Sequence, residues 1–562
     1  MFRAKFVLLL ALNSLIYLLL AAEPNLEWWK NAVFYQIYPR SFMVSYPNCF
    51  FSSPPSFDRL LQDSNNDGIG DLKGIQSKLD HLVDAGVTAL WLSPIYKSPQ
   101  IDHGYDISDY RDVDSLFGTL DDFKSLLAEA HNKGKYVYIP LGSECENHFL
   151  GLKVILDFVP NHTSDEHDWF KRSLVNESKY ADYYVWREGR NGNKDPPNNW
   201  ISYFHGPAWT FNEARQLWYL HQFAKGQPDL NYRSSDLVKE MKDVLTYWLD
   251  LGVDGFRVDI ISALFEDEQF RNEDQSNLPN VSADDREYLI HTYTEDQPET
   301  YDMVYQWRIL LDDYQREKGG DARVMMTESY APLRKLFGYY GNETHDGAHF
   351  TFNFWFITEL NVESSAHDIK FVIDKWLTYM PWRHTANWVL GNHDQHRVAS
   401  RYGSKRVDGL CMLSMLLPGV AVTYNGEEIG MEDGEVTWTE AQDPQACNGK
   451  EKDFLKNSRD FQRTPYQWNG STNAGFNKGA KPWLPVGSKY QTVNLATEKT
   501  DTKSHYGLYQ QVVKLRKRNT LKYGDMATIA FSDSVLGLTS DILNTSSAIS
   551  LDAYESLILT TS

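Results

Sequence analysis

Three carboxylate side chains follow directly after three apolar runs of the sequence. Asp259 ends the string Gly-Phe-Arg-Val-Asp, Glu328 follows Val-Met-Met-Thr, and Asp394 ends Val-Leu-Gly-Asn-His-Asp. An unbroken apolar run is typical of a strand buried on both faces, as in a parallel sheet. Carboxylates at the ends of such strands are partly desolvated and share a cleft, so their pKa values can suit acid, base or nucleophilic work. The pattern indicates a glycosidase-type site.

Eight apolar segments of strand type alternate with segments of helical periodicity along most of the chain. The strands are predicted at residues 32–38, 89–92, 153–159, 255–258, 323–326, 350–356, 388–390 and 420–424. Apolar residues three or four apart predict helices at residues 123–131, 236–251, 304–317, 368–379 and 407–417. Alternating strands and helices require a parallel sheet with right-handed crossovers. An α/β fold is therefore predicted, a (β/α)8 TIM barrel whose strand ends bring the carboxylates to one face.

The remaining segments are arranged around this predicted catalytic barrel, which covers residues 23–162 and 237–523. Residues 163–236 are aromatic and polar and lack a helix–strand repeat, so they are predicted to form a lid subdomain inserted after strand 3. Residues 524–562 are rich in Ser, Thr and β-forming residues. They predict a C-terminal β-domain that is too short to be complete.

The N-terminus predicts a secreted, extracellular protein. Residues 1–22 combine a short basic start, an apolar stretch and Ala21-Ala22, as in a secretory signal peptide. An uncleaved membrane anchor is the alternative, but the apolar stretch is shorter than the ~20 residues of a spanning helix. No transmembrane span is expected in the mature chain. Secretion makes five sequons expected glycan sites, at Asn176, Asn280, Asn342, Asn469 and Asn544.

Composition narrows the range of partners. The net charge of −21 argues against nucleic acid or an anionic membrane as a partner, because both require positive surface. Aromatic residues make up 14% of the chain, which suits either sugar stacking or core filling. The sequence does not determine the oligomeric state.

Five short strings resemble the signature regions of the α-amylase family, glycoside hydrolase family 13. They are Asp-Phe-Val-Pro-Asn-His at 157–162, Gln-Pro-Asp-Leu-Asn-Tyr at 227–232, Gly-Phe-Arg-Val-Asp at 255–259, Met-Thr-Glu at 326–328 and Asn-His-Asp at 392–394. With the string Tyr-Pro-Arg-Ser-Phe at 38–42 and Arg-Thr-Pro-Tyr-Gln-Trp at 463–468, the chain is similar to insect-type maltases, α-glucosidases close to the oligo-1,6-glucosidases. The resemblance extends over nearly all of residues 28–533.

The resemblance implies catalytic roles that the chemistry supports. Asp259 is expected to be the nucleophile, since a retaining glycosidase needs a carboxylate beneath the anomeric carbon. Glu328 is expected to act as general acid and then as general base. Asp394 is expected to bind ring hydroxyls and help distort the sugar. Arg257, two residues before Asp259 on the same strand face, is expected to hold the nucleophile ionised and oriented.

The resemblance also implies substrate-binding residues. Asp102 and Arg463 match the residues that hold the non-reducing end of the substrate in exo-acting relatives. Tyr105 is expected to supply a stacking platform. His162 and His393 are expected to donate hydrogen bonds to hydroxyls of the bound glucose. Taken singly, each residue is equally compatible with a structural role such as a cap or an ion pair.

A loop rich in oxygen donors follows the first predicted strand. Asp63, Asn65, Asp67 and Asp71 alternate along a Gly-containing segment, which suits a hard cation. In the resembled glucosidases this loop binds a structural Ca²⁺, with the carbonyl of Ile69 as a further ligand. A metal-free turn rich in Asp and Asn is the alternative.

Two segments interrupt the resemblance, at residues 44–62 and 135–150. Removing 135–150 joins a helix end to a strand that should follow within a few residues. We interpret both as retained introns in a gene prediction, with genuine surface loops as the alternative. The tail from about residue 540 also departs from the family.

These features together predict a secreted, exo-acting, retaining α-glucosidase that releases terminal α-1,4-linked glucose from maltose, sucrose and short oligosaccharides. An oligo-1,6-glucosidase or transglucosidase is one alternative. A non-catalytic binding protein resembling amino-acid-transporter heavy chains is another. The intact set Asp259, Glu328 and Asp394 favours the enzyme over the binding protein.

Overall fold

The computed structural model describes residues 27–45, 67–133, 151–524 and 526–539. Eight parallel strands form its central sheet. They are β1 (Val33–Ile37), β2 (Ala89–Leu92), β3 (Lys153–Phe158), β4 (Gly255–Val258), β5 (Val324–Thr327), β6 (Phe350–Thr351), β7 (Asn387–Val389) and β8 (Val420–Tyr424). Their order in the sheet is β6-β5-β4-β3-β2-β1-β8-β7, and every neighbouring pair is parallel.

The two ends of this sheet are joined by one side chain. Asn387, the first residue of β7, donates from Nδ2 to the carbonyl of Thr351 at 2.6 Å, and its Oδ1 accepts from the backbone N–H of Asn353 at 2.8 Å. An amide side chain thus replaces the ladder hydrogen bonds between β6 and β7. The nearly closed, all-parallel sheet confirms the predicted TIM barrel.

The sixth strand is shorter than the sequence predicts. Residues 350–356 were expected to form one strand, but β6 ends at Thr351 and a helical turn covers Trp355–Thr358. Phe352, Phe354 and Phe356 are all buried in one hydrophobic cluster with Trp91 and Trp388. Their apolar character therefore reflects burial against neighbouring aromatic rings, which a sequence pattern does not distinguish from a buried strand.

Helices alternate with the strands on the outside of the barrel. The longer ones are Leu120–Asn132, Ser235–Leu251, Pro298–Lys318, Ala366–Tyr379, Val407–Leu416 and His505–Arg516. The helix before β4 shows why its boundaries lie where they do. The Ser234 side chain accepts from the N–H of Leu237 at the helix start, and Gly252 ends the helix with φ +105°. Only Val253 and Asp254 then separate this helix from β4, the strand that Asp259 follows.

Residues 163–236 contain a small antiparallel sheet. Its strands are Trp186–Arg187, Leu217–Leu220 and Trp209–Asn212, with the second in the centre. His162 and Asp229 form an isolated bridge that ties this segment to the end of β3. Near the C-terminus, the hairpin Ala527–Ser532 and Val535–Thr539 packs on helix Ala366–Tyr379. The proposed domain boundaries stay predictions.

The described residues that flank the two predicted insertions lie next to each other. The N–H of Asp71 donates to the carbonyl of Met43 at 3.0 Å. A β-carbon at Gly151 would lie 2.1 Å from the carbonyl oxygen of His131. Apart from residues 44 and 45, the insertions lie outside the described residues, as do residues 1–22. Among the described residues no helix is long and apolar enough to cross a membrane.

Candidate active site

One buried guanidinium holds three carboxylates at the carboxyl ends of β3, β4 and β5. Arg257 donates from Nη1 to Asp157 at 2.7 Å and to Asp259 at 2.6 Å, and from Nη2 to Glu328 at 2.5 Å. The register explains the first contact, because Arg257 of β4 pairs directly with Asp157 of β3. The Trp91 ring also contacts this guanidinium, with its centroid 5.1 Å from Cζ of Arg257.

Asp259 and Glu328 each keep one carboxylate oxygen free of hydrogen bonds within the described part of the chain. Asp259 uses Oδ1 for Arg257, while its Oδ2 has no hydrogen-bond partner among the described residues. Glu328 uses Oε2 twice, accepting from Arg257 and from the N–H of Ile260 at 3.1 Å. Two donors on Oε2 exclude a proton there, so a proton carried by Glu328 lies on Oε1.

The residue after Asp259 has a strained backbone. Ile260 has φ +34° and ψ +51°, in the left-handed region that β-branched residues rarely enter. This conformation directs its N–H to the Glu328 carboxylate, and the next N–H, of Ile261, donates to the Glu328 carbonyl at 3.1 Å. Strain of this kind is common at functional sites, where the surrounding structure holds it. Here it orients Glu328 with respect to the neighbouring strand.

Burial and mutual repulsion favour protonation of this cluster. Burial raises the pKa of Asp157 to about 6, while Arg257 opposes the shift. Burial also raises the pKa of Asp259, again against Arg257, and the nearby carboxylates of Glu328 and Asp157 raise it further. One guanidinium does not neutralise three carboxylates. Burial and repulsion therefore work against full ionisation of Asp157 and Asp259, and Arg257 counteracts both.

Asp394 is held in the opposite state, fully ionised. Burial opposes its ionisation, but the neighbouring arginines Arg463 and Arg459 outweigh burial and lower the pKa of Asp394 below its usual range. Arg463 donates to Asp394 Oδ1 at 2.7 Å, and Arg459 reaches the same oxygen at 3.4 Å. The Asp394 side chain is 24% exposed, against 11% for Asp259. It therefore lies nearer the mouth of the cleft.

Asp102 forms its ion pair with Arg459, four residues before the expected arginine. Arg459 Nη2 lies 2.8 Å from Asp102 Oδ1, and the same guanidinium binds Asp443 at 2.7 Å. Arg463 instead binds Asp394 and the carbonyl of His393. The expected substrate residues are thus adjacent, and Arg459 connects them. Sequence reasoning missed Arg459; its only signal is its place in the same short segment as Arg463.

The two predicted histidines follow different strands, β3 and β7, and have different partners. His162 follows β3, where its Nδ1 lies 2.9 Å from Asn161 Oδ1 and its Nε2 lies 3.0 Å from Gln227. Burial lowers the pKa of His162 to about 3 and the pKa of His393 well below the ordinary value. Both rings are therefore neutral. Tyr105 lies between the cluster and His393, with its hydroxyl 2.7 Å from His393 Nε2.

An aromatic pair at the rim was also missed by sequence reasoning. Tyr330, two residues after Glu328, stacks on Phe354 with ring centroids 4.3 Å apart and is 41% exposed. Asn392 donates to its hydroxyl at 3.2 Å. Asn392, the hydrogen-bond donor to Tyr330, lies two residues before Asp394, so this aromatic pair borders the carboxylate cluster. Its sole sequence signal is its position immediately beyond a predicted strand-end carboxylate.

The predicted metal loop lies partly outside the described residues, because Asp63 and Asn65 are not described. Asp67 Oδ1 accepts from the N–H of Ile69 at 2.8 Å. Asp71 accepts from the N–H of Gly74 at 2.8 Å, which caps helix Leu72–Gln76, and from the N–H of Ser45 at 2.9 Å. Within the described ranges, no three His, Cys, Asp or Glu side chains form a metal-binding group.

Comparisons with known proteins give similarity over most of the chain. Residues 36–141 and 142–524 match the family model described as Alpha amylase, catalytic domain. The chain is 48% identical to Maltase 1 of Drosophila virilis, covering 92% of this chain and 77% of that protein. It is 45% identical to a salivary alpha-glucosidase of Aedes aegypti, covering 91% and 83%. The crystal structure of the alpha-glucosyl transfer enzyme XgtA superposes with a TM-score of 0.77 at 34% identity, covering 92% and 89%.

Proposed function

The chain belongs to the α-amylase family of glycoside hydrolases, and we propose that it is a secreted, exo-acting α-glucosidase that works with retention of configuration. Its substrates would be maltose, sucrose and short oligosaccharides with a terminal α-1,4-linked glucose. One observation carries the proposal: Arg257 binds the nucleophile and the acid simultaneously, at 2.6 and 2.5 Å. A shared guanidinium favours the shorter of the two carboxylate spacings used by glycosidases, about 5–5.5 Å, which belongs to double displacement.

The free oxygens define the first chemical step. Asp259 Oδ2 attacks the anomeric carbon while the glycosidic C–O bond breaks, and Glu328 Oε1 gives its proton to the leaving oxygen. Arg257 stays on the other oxygen of each carboxylate, so neither has to reorient during the reaction. Electrostatic stabilisation of the developing positive charge on the sugar comes from the ionised Asp259 and Asp394.

The second step reverses the roles. Glu328, now ionised, removes a proton from water, and the resulting oxygen forms a bond to the anomeric carbon as the bond to Asp259 breaks. The N–H of Ile260 donates to Oε2 in both states of Glu328. The acid therefore keeps its position whether or not it carries a proton.

Exo action is supported by the ion-pair network around Arg459. Asp102, Asp394 and Asp443 all contact this one guanidinium. These buried, mutually paired charges would bind the terminal hydroxyls of one glucose and would close the site to a further sugar beyond it. A chain would thus enter only by its non-reducing end, with its remainder directed past Tyr330.

Two measurements test this function. A panel of maltose, sucrose, isomaltose and trehalose on secreted protein should give rapid glucose release from maltose and sucrose. Proton NMR of the first product should show α-glucose before mutarotation. β-Glucose as the first product would contradict retention. Predominant formation of longer oligosaccharides at low maltose concentration would favour a transglucosidase, and absence of turnover on every α-glucoside would favour the binding-protein alternative.

We also propose that the loop at residues 63–71 binds a structural Ca²⁺. The chemistry of the donor set supports this role, because Asp63, Asn65, Asp67 and Asp71 all carry the oxygen donors that a hard cation prefers. Removal of the metal with a chelator should lower the melting temperature more than the initial rate on maltose. Immediate loss of the rate with the melting temperature unchanged would mean that the metal is catalytic.

A further inference from the structure

Gln36, a residue of β1, contacts the ring of His393 at the far side of the active site. Its Nε2 lies 2.8 Å from His393 Nδ1 and 3.3 Å from Ser93 Oγ. Gln36 is completely buried, and it lies one residue before the carboxyl end of β1, at the end of the barrel where the carboxylate cluster lies. Gln36 lies in none of the five strings that resemble the α-amylase family and takes no part in the two reaction steps proposed above.

The other ring nitrogen of His393 faces the reacting groups. Nε2 lies 2.7 Å from the Tyr105 hydroxyl and 3.3 Å from Asp394 Oδ2. Tyr105 in turn lies 3.2 Å from Asp157 Oδ2. Both carboxylates only accept hydrogen bonds when ionised, so the groups between them must supply the protons. The charged side chains with an electrostatic effect on the ring are Asp394, Arg463, Arg257 and Arg459.

Only one placement of the single imidazole proton satisfies this chain of contacts. With the proton on Nε2, His393 donates towards Asp394 and Tyr105, Tyr105 donates to Asp157, and Nδ1 accepts from Gln36. With the proton on Nδ1, the lone pair of Nε2 faces Asp394 and takes the Tyr105 proton away from Asp157. The first placement leaves no two acceptors facing each other.

The orientation of the Gln36 amide follows from the same argument. In this orientation both N–H groups have partners, His393 and Ser93, and only the Gln36 carbonyl oxygen lacks one among the described residues. The flipped amide would leave two buried N–H donors without acceptors, and an orphaned donor is rarer in proteins than an under-satisfied carbonyl. It would also require the unfavourable tautomer of His393.

We propose that Gln36 is a positioning residue that fixes the tautomer of His393, keeping a proton on Nε2 for donation to Asp394 and to a hydroxyl of the bound sugar. The consequence for catalysis rests on the proposed α-glucosidase function. The tautomer itself is a property of the free protein and does not depend on any substrate. Gln36 acts on the sugar only through the ring, without touching the substrate.

Three variants separate this role from simple packing. Gln36→Met keeps the size of the side chain and removes the N–H donor. Gln36→Glu places an ionisable acceptor beside Nδ1. Ser93→Ala is the matched control, because it removes the second partner of Gln36 and leaves the N–H that contacts His393. Melting temperatures report whether each variant folds.

Nitrogen-15 NMR of histidine-labelled, substrate-free protein reads the tautomer directly, with the His393 signal assigned by its loss in His393→Gln. The native protein and Ser93→Ala should show protonated Nε2 and unprotonated Nδ1. Gln36→Met should show a mixture of tautomers. A native protein with protonated Nδ1, or a Gln36→Met variant that stays wholly protonated on Nε2, would overturn the proposal.

The pH profile on maltose gives a second, independent readout. In Gln36→Glu one proton is shared between Glu and His393, and Nε2–H is retained until that proton is lost. Activity should therefore approach that of the native protein at low pH and fall about tenfold as pH rises through the apparent pKa of the pair. Gln36→Met should lose activity about three- to tenfold, the magnitude of one neutral hydrogen bond, without a new limb in its pH–rate profile.

If Gln36→Glu shows the pH–rate profile of the native protein, the tautomer does not matter and the proposal fails. If no variant or native protein cleaves an α-glucoside, the NMR result still decides the tautomer, and only the proposed function fails.

Discussion

Glu328→Gln should separate substrates by how much acid help their leaving groups need. In the native site, Oε2 accepts from Arg257 at 2.5 Å and from Ile260 at 3.1 Å. The carbonyl oxygen of Gln can take that position, with its amide nitrogen at the place of Oε1. The substitution therefore preserves the contacts that orient the side chain and removes only the transferable proton.

The size of the effect follows from the step that is lost. A positioned general acid contributes about 10²–10⁴-fold, or about 3–5 kcal/mol, when the leaving group is a sugar alkoxide. Glycosylation by maltose should fall by that factor. A dinitrophenyl α-glucoside leaves as a stable phenolate without a proton, so its glycosylation rate should stay within about tenfold of the native rate.

Pre-steady-state release of dinitrophenolate measures glycosylation separately from hydrolysis of the intermediate. Glu328→Gln also lacks the general base of the second step, so a burst of phenolate followed by slow turnover is expected. Azide, which needs no base, should restore turnover and give α-glucosyl azide. Equal losses for maltose and the aryl glucoside, in a variant with the native melting temperature, would refute the acid role of Glu328. A β-azide product would refute retention.

Three further outcomes are expected. Asp259→Asn should lower kcat on maltose by at least about 10³-fold, because Asn still accepts from Arg257 but is not a nucleophile. Sugar binding, measured by calorimetry, and the melting temperature should stay close to native. Residual activity within tenfold of native would contradict the assignment of Asp259. If the bulky Ile260 side chain crowds the acceptor side, as the family resemblance implies, the native protein should hydrolyse isomaltose beside maltose. Ile260→Ala should then shift the ratio several-fold towards maltose without disturbing the backbone N–H to Glu328. A native protein inactive on isomaltose would sink this idea. Burial raises the pKa of Glu427 to about 8, so between pH 4.5 and 8 this side chain holds a proton in the folded protein that it has lost in the unfolded chain. Its contribution to stability should therefore fall as pH rises through this window. In denaturant titrations, the free energy of unfolding of Glu427→Gln should exceed that of the native protein by at most roughly 4 kcal/mol at pH 8 and should not differ from it below pH 4.5. A constant difference across this range would show that Glu427 does not titrate there.

The sequence by itself determined the barrel and predicted the three strand-end carboxylates that the barrel brings together. Asp259, Glu328 and Asp394 are local features, because each follows an apolar run directly, and all strands of a parallel barrel end on one face. The strands at Ala89–Leu92, Gly255–Val258 and Val420–Tyr424 lie at the predicted boundaries for the same reason. A strand buried on both faces has an unbroken apolar run, which can be recognised in the sequence without knowing which strands it pairs with.

Only the tertiary structure decided which side chains those carboxylates meet. Gln36 and His393 are 357 positions apart, as are Asp102 and Arg459, so no local pattern relates them. The left-handed backbone of Ile260 is likewise invisible in the sequence, because its residue type disfavours that conformation and only surrounding contacts hold it there. Local periodicity depends on the burial of one segment. Proton positions and ion-pair partners depend on distances between segments, which exist only once the barrel has closed.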